Sequence, residues 1–228
     1  MVYFILQYLF CLYDSIVRRN YTMLGIYNYT VILTYLGMLA GFAGITFAAG
    51  GNIKKALICL MIAGLCDMFD GKIASTMERT RQEKRFGVQI DSLSDLVCFG
   101  VLPALILYMI NGGGIKIIPS AFYLLCALIR LAWFNVDEEE RQEKEQGSRR
   151  VYYGLPVTSA ALIFPLLMGL CEKQHWGTQK IGTLALILTA VAFLTPFRLK
   201  KPTLPGKIGM LVLGALGMLV VVMAGMDV

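Results

Sequence analysis

Long apolar runs alternate with short charged stretches along nearly the whole chain, too continuously for the half-buried helices of a soluble fold. Seven runs have about the length of a bilayer-crossing helix, at residues 31–50, 55–75, 95–111, 117–134, 155–172, 179–196 and 208–226. The pattern predicts an all-α integral membrane protein, a bundle of six to seven transmembrane helices. Ahead of the first span, LGIYNYTVILTYL mixes Tyr and Asn with aliphatics, which predicts an N-terminal interfacial helix leading into it. Residues 1–22 read as an extension. Their apolar run precedes Arg18 and Arg19, the reverse of a signal peptide, and Met23 offers an alternative start. Residues 23–228 then form one membrane domain.

Composition narrows this reading. The 228 residues are 57% apolar, with a mean hydropathy of +0.66. Six cysteines lie scattered in apolar segments without C-x-x-C spacing, so neither a disulfide framework nor a zinc site is expected. The net charge of +6 comes from basic residues that flank spans and do not interleave with aromatics in one patch, which argues against nucleic acid and for orientation and membrane lipids. With the connection after the second span placed in the cytoplasm, fourteen flanking Lys and Arg fall inside and five outside. This predicts a cytoplasmic-membrane protein whose polar centre faces the cytoplasm. Gly37 and Gly41 in the first span, and Gly209, Gly214 and Gly217 in the last, mark close helix contacts within the bundle. The charged segment DEEERQEKEQGSRR (137–150) reads as a solvated loop or helix extension.

The chemistry gathers in DMFDGKIASTMERTRQEKRFGVQIDSLSD, residues 67–95. Asp67 and Asp70 are three residues apart and Asp91 and Asp95 four apart, so each pair shares a helix face. An ionisable residue at membrane depth costs about 2.5–3.5 kcal/mol even on gentle scales. Two like charges about 4 Å apart repel by roughly 4 kcal/mol at an effective dielectric of 20. Divalent cations reverse that repulsion. Oxygen ligands without His or paired Cys suit Mg²⁺, Mn²⁺ or Ca²⁺, and two such ions are expected.

Read as spacing, the stretch is D-x-x-D-G-x-x-A followed, after a connection, by G-x-x-x-D-x-x-x-D. This resembles the signature of the CDP-alcohol phosphatidyltransferases, with seven of eight fixed positions carried by Asp67, Asp70, Gly71, Ala74, Gly87, Asp91 and Asp95. The chain departs from it in two ways. The arginine after the alanine is Ser75, and the connection to Gly87 is three residues longer. Arg79, one helical turn beyond Ser75 if the helix continues, is expected to stand in for that arginine. DSLSDLVCFGVLPA (91–104), RLAWFNV (130–136) and YYGLPVTSAALIFPLL (152–167) are similar to the phosphatidylserine synthase branch of the family.

The resemblance implies Asp67, Asp70 and Asp91 as metal ligands, with Asp67 and Gly71 beside a cytidine diphosphate. It implies Asp95 as the general base, also touching a metal. The implied reaction is L-serine plus CDP-diacylglycerol giving phosphatidylserine and CMP, and the family implies a homodimer. Gly71 removes a side chain where a nucleotide approaches the helix backbone, Ala74 keeps that face shallow, and Gly87 does the same one turn before Asp91. Arg130, five residues from Asn135, is a candidate for the serine carboxylate or a lipid phosphate, and Arg149 and Arg150 for substrate or anionic lipid. Lys72 points away from Asp67, His175 reads as an interface residue, and Pro103, Pro156 and Pro165 as helix kinks. Two rival functions remain at this level. One is the same chemistry on glycerol 3-phosphate or inositol phosphate; the other is a metal-ion transporter, which would be expected to place carboxylates near mid-membrane within repeated halves.

Overall fold

The structure, a computed structural model, describes residues 25–112, 114–144, 151–174, 177–200 and 204–224. Helix α1 (Tyr29–Ala49) packs along α2 (Ile53–Ala74). Helix α3 (Arg81–Asp95) passes through a π-helical turn, Leu96–Val101, into α4 (Leu102–Ile110). Helix α5 (Ile117–Lys144) follows, then α6 (Ala160–Lys173), α7 (Thr178–Leu194) and α8 (Leu204–Met223). α6 packs on α8 and on α2, and α5 on α7. Two three-residue strands, β1 (Val151–Tyr153) and β2 (Arg198–Lys200), pair antiparallel.

Three helical stretches, Tyr29–Ala49, Arg81–Ile110 and Ile117–Arg141, are long and apolar enough to cross a membrane, and Thr178–Leu194 and Ile208–Met223 are shorter apolar helices. Helix α2 has the length but carries Lys54, Lys55, Asp67, Asp70 and Lys72. The bundle is the all-α membrane architecture that the apolar runs predict. The start of the interfacial helix and residues 1–22 lie outside the described residues, as does His175. Its end does not: Gly25 to Asn28 are non-helical, and α1 begins at Tyr29.

Several boundaries differ from the sequence reading for local reasons. The third span was expected at 95–111, but its helix begins at Arg81 because Thr80 and Glu83 form a capping box that starts a helix well before the apolar residues. Helix α5 runs on to Lys144, so the first part of the charged segment is helical. Pro156 does not kink a helix; it precedes the 3₁₀ turn Val157–Ser159 that leads into α6.

The π-helical turn directly follows Asp95, and Pro103 explains part of it. The α-helical partner of the Phe99 carbonyl would be the N–H of residue 103, which proline lacks. The buried Tyr123 hydroxyl of α5 donates to that carbonyl instead, at 2.7 Å. Its ring meets Phe164 of α6 edge-on at 5.6 Å and Phe193 of α7 at 5.4 Å, so one side chain ties four segments around the core. The five described cysteines are free, four of them buried.

Candidate active site

The site lies where α2 ends and α3 begins to enter the bundle. α2 stops at Ala74 because Ser75 and Thr76 turn their hydroxyls back onto the chain: Ser75 Oγ donates to the Lys72 carbonyl and Thr76 Oγ1 to that of Ile73, each at 2.7 Å. Six residues later the capping box opens α3, the Glu83 N–H donating to Thr80 Oγ1 at 3.2 Å and the Thr80 N–H to Glu83 Oε2 at 2.8 Å. The other Glu83 oxygen accepts from Asn28 Nδ2 at 3.2 Å, while Asn28 Oδ1 caps α1. Tyr29 and Thr76 bring their hydroxyls to 3.2 Å. The starts of α1 and α3 and the end of α2 are thus clasped together by polar contacts.

This clasp fixes how the aspartates meet. One carboxylate oxygen from each of Asp67, Asp70 and Asp91 lies within 4.8 Å of the others, and all three side chains are half-buried. Asp95 lies one turn beyond Asp91 at the end of α3, on the face that carries Asp91. Thr34 of α1, itself buried, donates from Oγ1 to Asp70 Oδ2 at 3.2 Å. Oxygen donors this close, with neither His nor thiolate among the three, suit a hard divalent cation.

The glycines of the motif border this cluster differently. A side chain at Gly71 would meet nothing within 4 Å. A Cβ at Gly87 would lie 3.1 Å from Arg79 Nη1. Arg79 therefore does not extend the face of α2, as helical continuation would require, because α2 has ended. It sits in the connection with its guanidinium over Gly87, which shares a face of α3 with Asp91. Among the described residues it makes no hydrogen bond or ion pair.

The remaining candidates are spread out. Ala74 is half-buried, Ser75 is exposed and bonded to Lys72, and Lys72 is exposed. Arg130 is buried, its Nε donating to the Leu155 carbonyl at 3.4 Å and its guanidinium over the Phe134 ring, so it does not reach for solvent. Arg149 and Arg150 lie outside the described residues. A groove of about 720 Å³ runs between α3 and α5, lined by Arg81, Arg85, Phe86, Gln89 and Asn135 among others. By helical angle it opens roughly 140° around α3 from Asp91, so it is a different surface from the aspartate cleft. Thr34 escaped the sequence reading, because a threonine inside an apolar run ordinarily bonds its own helix.

Residues 27–224 match the family profile described as CDP-alcohol phosphatidyltransferase. The chain belongs to that family. It is 27% identical over 179 residues to a CDP-diacylglycerol--serine O-phosphatidyltransferase of Helicobacter pylori, covering 76% of this chain and 72% of the relative. It is 30% identical over 147 residues to the enzyme of the same name from Mycobacterium bovis, covering 64% and 49%. An archaetidylserine synthase of Methanothermobacter thermautotrophicus is 32% identical over 133 residues, covering 58% and 53%. The chain thus spans about half the length of the last two. As a CDP-alcohol phosphatidyltransferase it is a membrane phosphotransferase of phospholipid synthesis, and divalent metals are the family's cofactors, for which Asp67, Asp70 and Asp91 present the donor set.

Proposed function

We propose that this chain transfers the phosphatidyl group of CDP-diacylglycerol to the hydroxyl of L-serine, giving phosphatidylserine and CMP. The observation that carries the reading is the convergence of Asp67, Asp70 and Asp91 from two helices, with Asp95 one turn beyond Asp91, in a chain similar to serine O-phosphatidyltransferases. Asp67, Asp70 and Asp91 would hold Mg²⁺ or Mn²⁺, with Ca²⁺ a chemically similar alternative, and Asp95 borders the same cluster. When bound, such ions neutralise charge on the diphosphate and on the departing nucleotide.

The protein's own groups divide the remaining work. Asp95 takes the proton from the serine hydroxyl as its oxygen attacks the lipid-side phosphorus. The bond from that phosphorus to the bridging oxygen breaks, and CMP leaves with the electron pair. Gly71, facing open space beside Asp70, admits the nucleotide against the helix, with Asp67 and Ala74 along the same approach. Arg79, unpaired among the described residues and placed above Gly87, holds a phosphate oxygen in place of the arginine that Ser75 does not supply. Arg130 orients the serine carboxylate or a lipid phosphate. In this reading the site faces the cytoplasm, Arg149 and Arg150 meet substrate or anionic lipid, and the protein works as a homodimer.

The test supplies purified protein with CDP-diacylglycerol, Mn²⁺ or Mg²⁺ and one alcohol at a time, and follows CMP. Release with serine alone supports the proposal. Release with glycerol 3-phosphate or inositol phosphate instead reassigns the acceptor, and no release with serine overturns the proposal.

A further inference from the structure

We propose that the ribbon of β1 and β2 is a binding site for the phosphate headgroup of an anionic membrane lipid, next to the catalytic end of the bundle. The ribbon joins the start of α6 to the end of α7. It is held firmly there. The Gly154 N–H donates to the Phe197 carbonyl at 2.8 Å and the Leu155 N–H to that of Ala192 at 3.2 Å. Gly154 has φ +74°, and a Cβ on it would stand 2.9 Å from the Phe193 carbonyl, so only glycine lets the strand press so close to the end of α7.

The chemistry on this platform is one-sided. Arg198 lies directly across the ladder from Tyr153 and carries its guanidinium over that ring, 5.9 Å from the centroid. Among the described residues Arg198 has no carboxylate partner. Tyr153 is 42% exposed and its neighbour Phe197 37%. A stacked guanidinium keeps its N–H edge free for a phosphate, and exposed aromatics beside a cation are what the headgroup layer accommodates. The sequence extends the same sign: residues 146–171 and 173–226 contain no Asp or Glu, and Arg149, Arg150, Lys200 and Lys201 flank or continue the strands. A zwitterionic headgroup would find no carboxylate here for its cation, so the occupant is an anionic lipid. Leu155 links this platform to the active-site side, since its carbonyl accepts from the buried Arg130 while its N–H is bonded to α7.

The experiment purifies wild type, Arg198→Gln and Arg198→Lys in micelles doped with phosphatidylglycerol or phosphatidylcholine, and counts retained lipid by native mass spectrometry. Wild type should retain phosphatidylglycerol saturably and over phosphatidylcholine, Arg198→Gln should lose about fivefold of that preference, and Arg198→Lys should keep most of it. Equal retention of the two lipids, an unaffected Arg198→Gln, or displacement of the lipid by soluble inorganic phosphate would each overturn the proposal. Retention is read without turnover, so it is independent of which alcohol the enzyme uses.

Discussion

Glycines inside the bundle and glycines beside the aspartates do opposite things. In the interior they let backbones touch: a Cβ at Gly41 would stand 2.4 Å from Cys98 Sγ, at Gly44 2.7 Å from Leu102, and at Gly64 2.5 Å from Ala161. At the aspartate end Gly71 faces open space, and Gly87 meets only the far tip of Arg79. The first set is small because the protein fills the room; the second leaves room that, in the function proposed above, the nucleotide takes. Gly37 and Gly41 therefore belong to packing within the bundle, where Cys98 also donates its thiol to the Gly37 carbonyl at 3.4 Å.

The sharpest test of this division replaces the carboxylates at the open end. Asp91→Asn should lose activity by about 10³-fold or more while remaining folded, since several kcal/mol of charge stabilisation go with the ligand. Asp95→Asn should cost roughly 10²–10⁴-fold in kcat yet lower Mn²⁺ affinity much less than Asp91→Asn does, as read by equilibrium metal binding. If Asp95→Asn abolished metal binding and Asp91→Asn did not, the roles given to these neighbours would have to be exchanged.

The glycine pair comes next. Gly41→Leu should destabilise the protein by about 1–3 kcal/mol or prevent its folding, seen as a lowered Tm in detergent, because even its Cβ would stand 2.4 Å from Cys98 Sγ and 3.4 Å from the Cys98 backbone. Gly71→Leu should leave Tm unchanged and raise the KM for CDP-diacylglycerol. A Gly71→Leu protein with normal KM would mean that the open space beside Asp70 is not where the nucleotide lies.

Much of this was legible in the sequence, and the failures share a cause. Apolar runs located the helices of the bundle, and the spacing of the aspartates picked out residues that two helices bring together, because both are periodic signals that one helix carries by itself. The start of α3 was readable in principle from Thr80-x-x-Glu83, yet charged residues between two spans look like a loop when length and polarity are weighed before capping. The ribbon was not readable: three residues per strand make no alternating pattern, and their pairing depends on Gly154 reaching the end of α7. The helical argument that singles out Arg79 fails, yet Arg79 does lie beside a glycine of the motif. It reaches Gly87 because α2 stops, whereas the helical argument needed α2 to continue. Replacing it with alanine should raise the KM for CDP-diacylglycerol roughly 10–100-fold, the range of a hydrogen bond to a charged group, with little change in Tm.

Thr34 supplies the smallest expected effect and the finest test, because it stands on the boundary between the two regions. It lies on the packed helix, three residues before Gly37, yet its hydroxyl reaches Asp70 of the open end. A residue there is either a packing element that happens to touch a carboxylate or a group that aims one. Thr34→Val keeps the shape and removes the donor. A packing role predicts wild-type Tm, kcat and Mn²⁺ affinity. An aiming role predicts wild-type Tm with Mn²⁺ affinity down by about tenfold, the low end for loss of a hydrogen bond behind a metal ligand, and with activity recovered at high Mn²⁺. Thr34→Ser, which keeps the hydroxyl, should restore the affinity, and its failure to do so would return Thr34 to the packed interior.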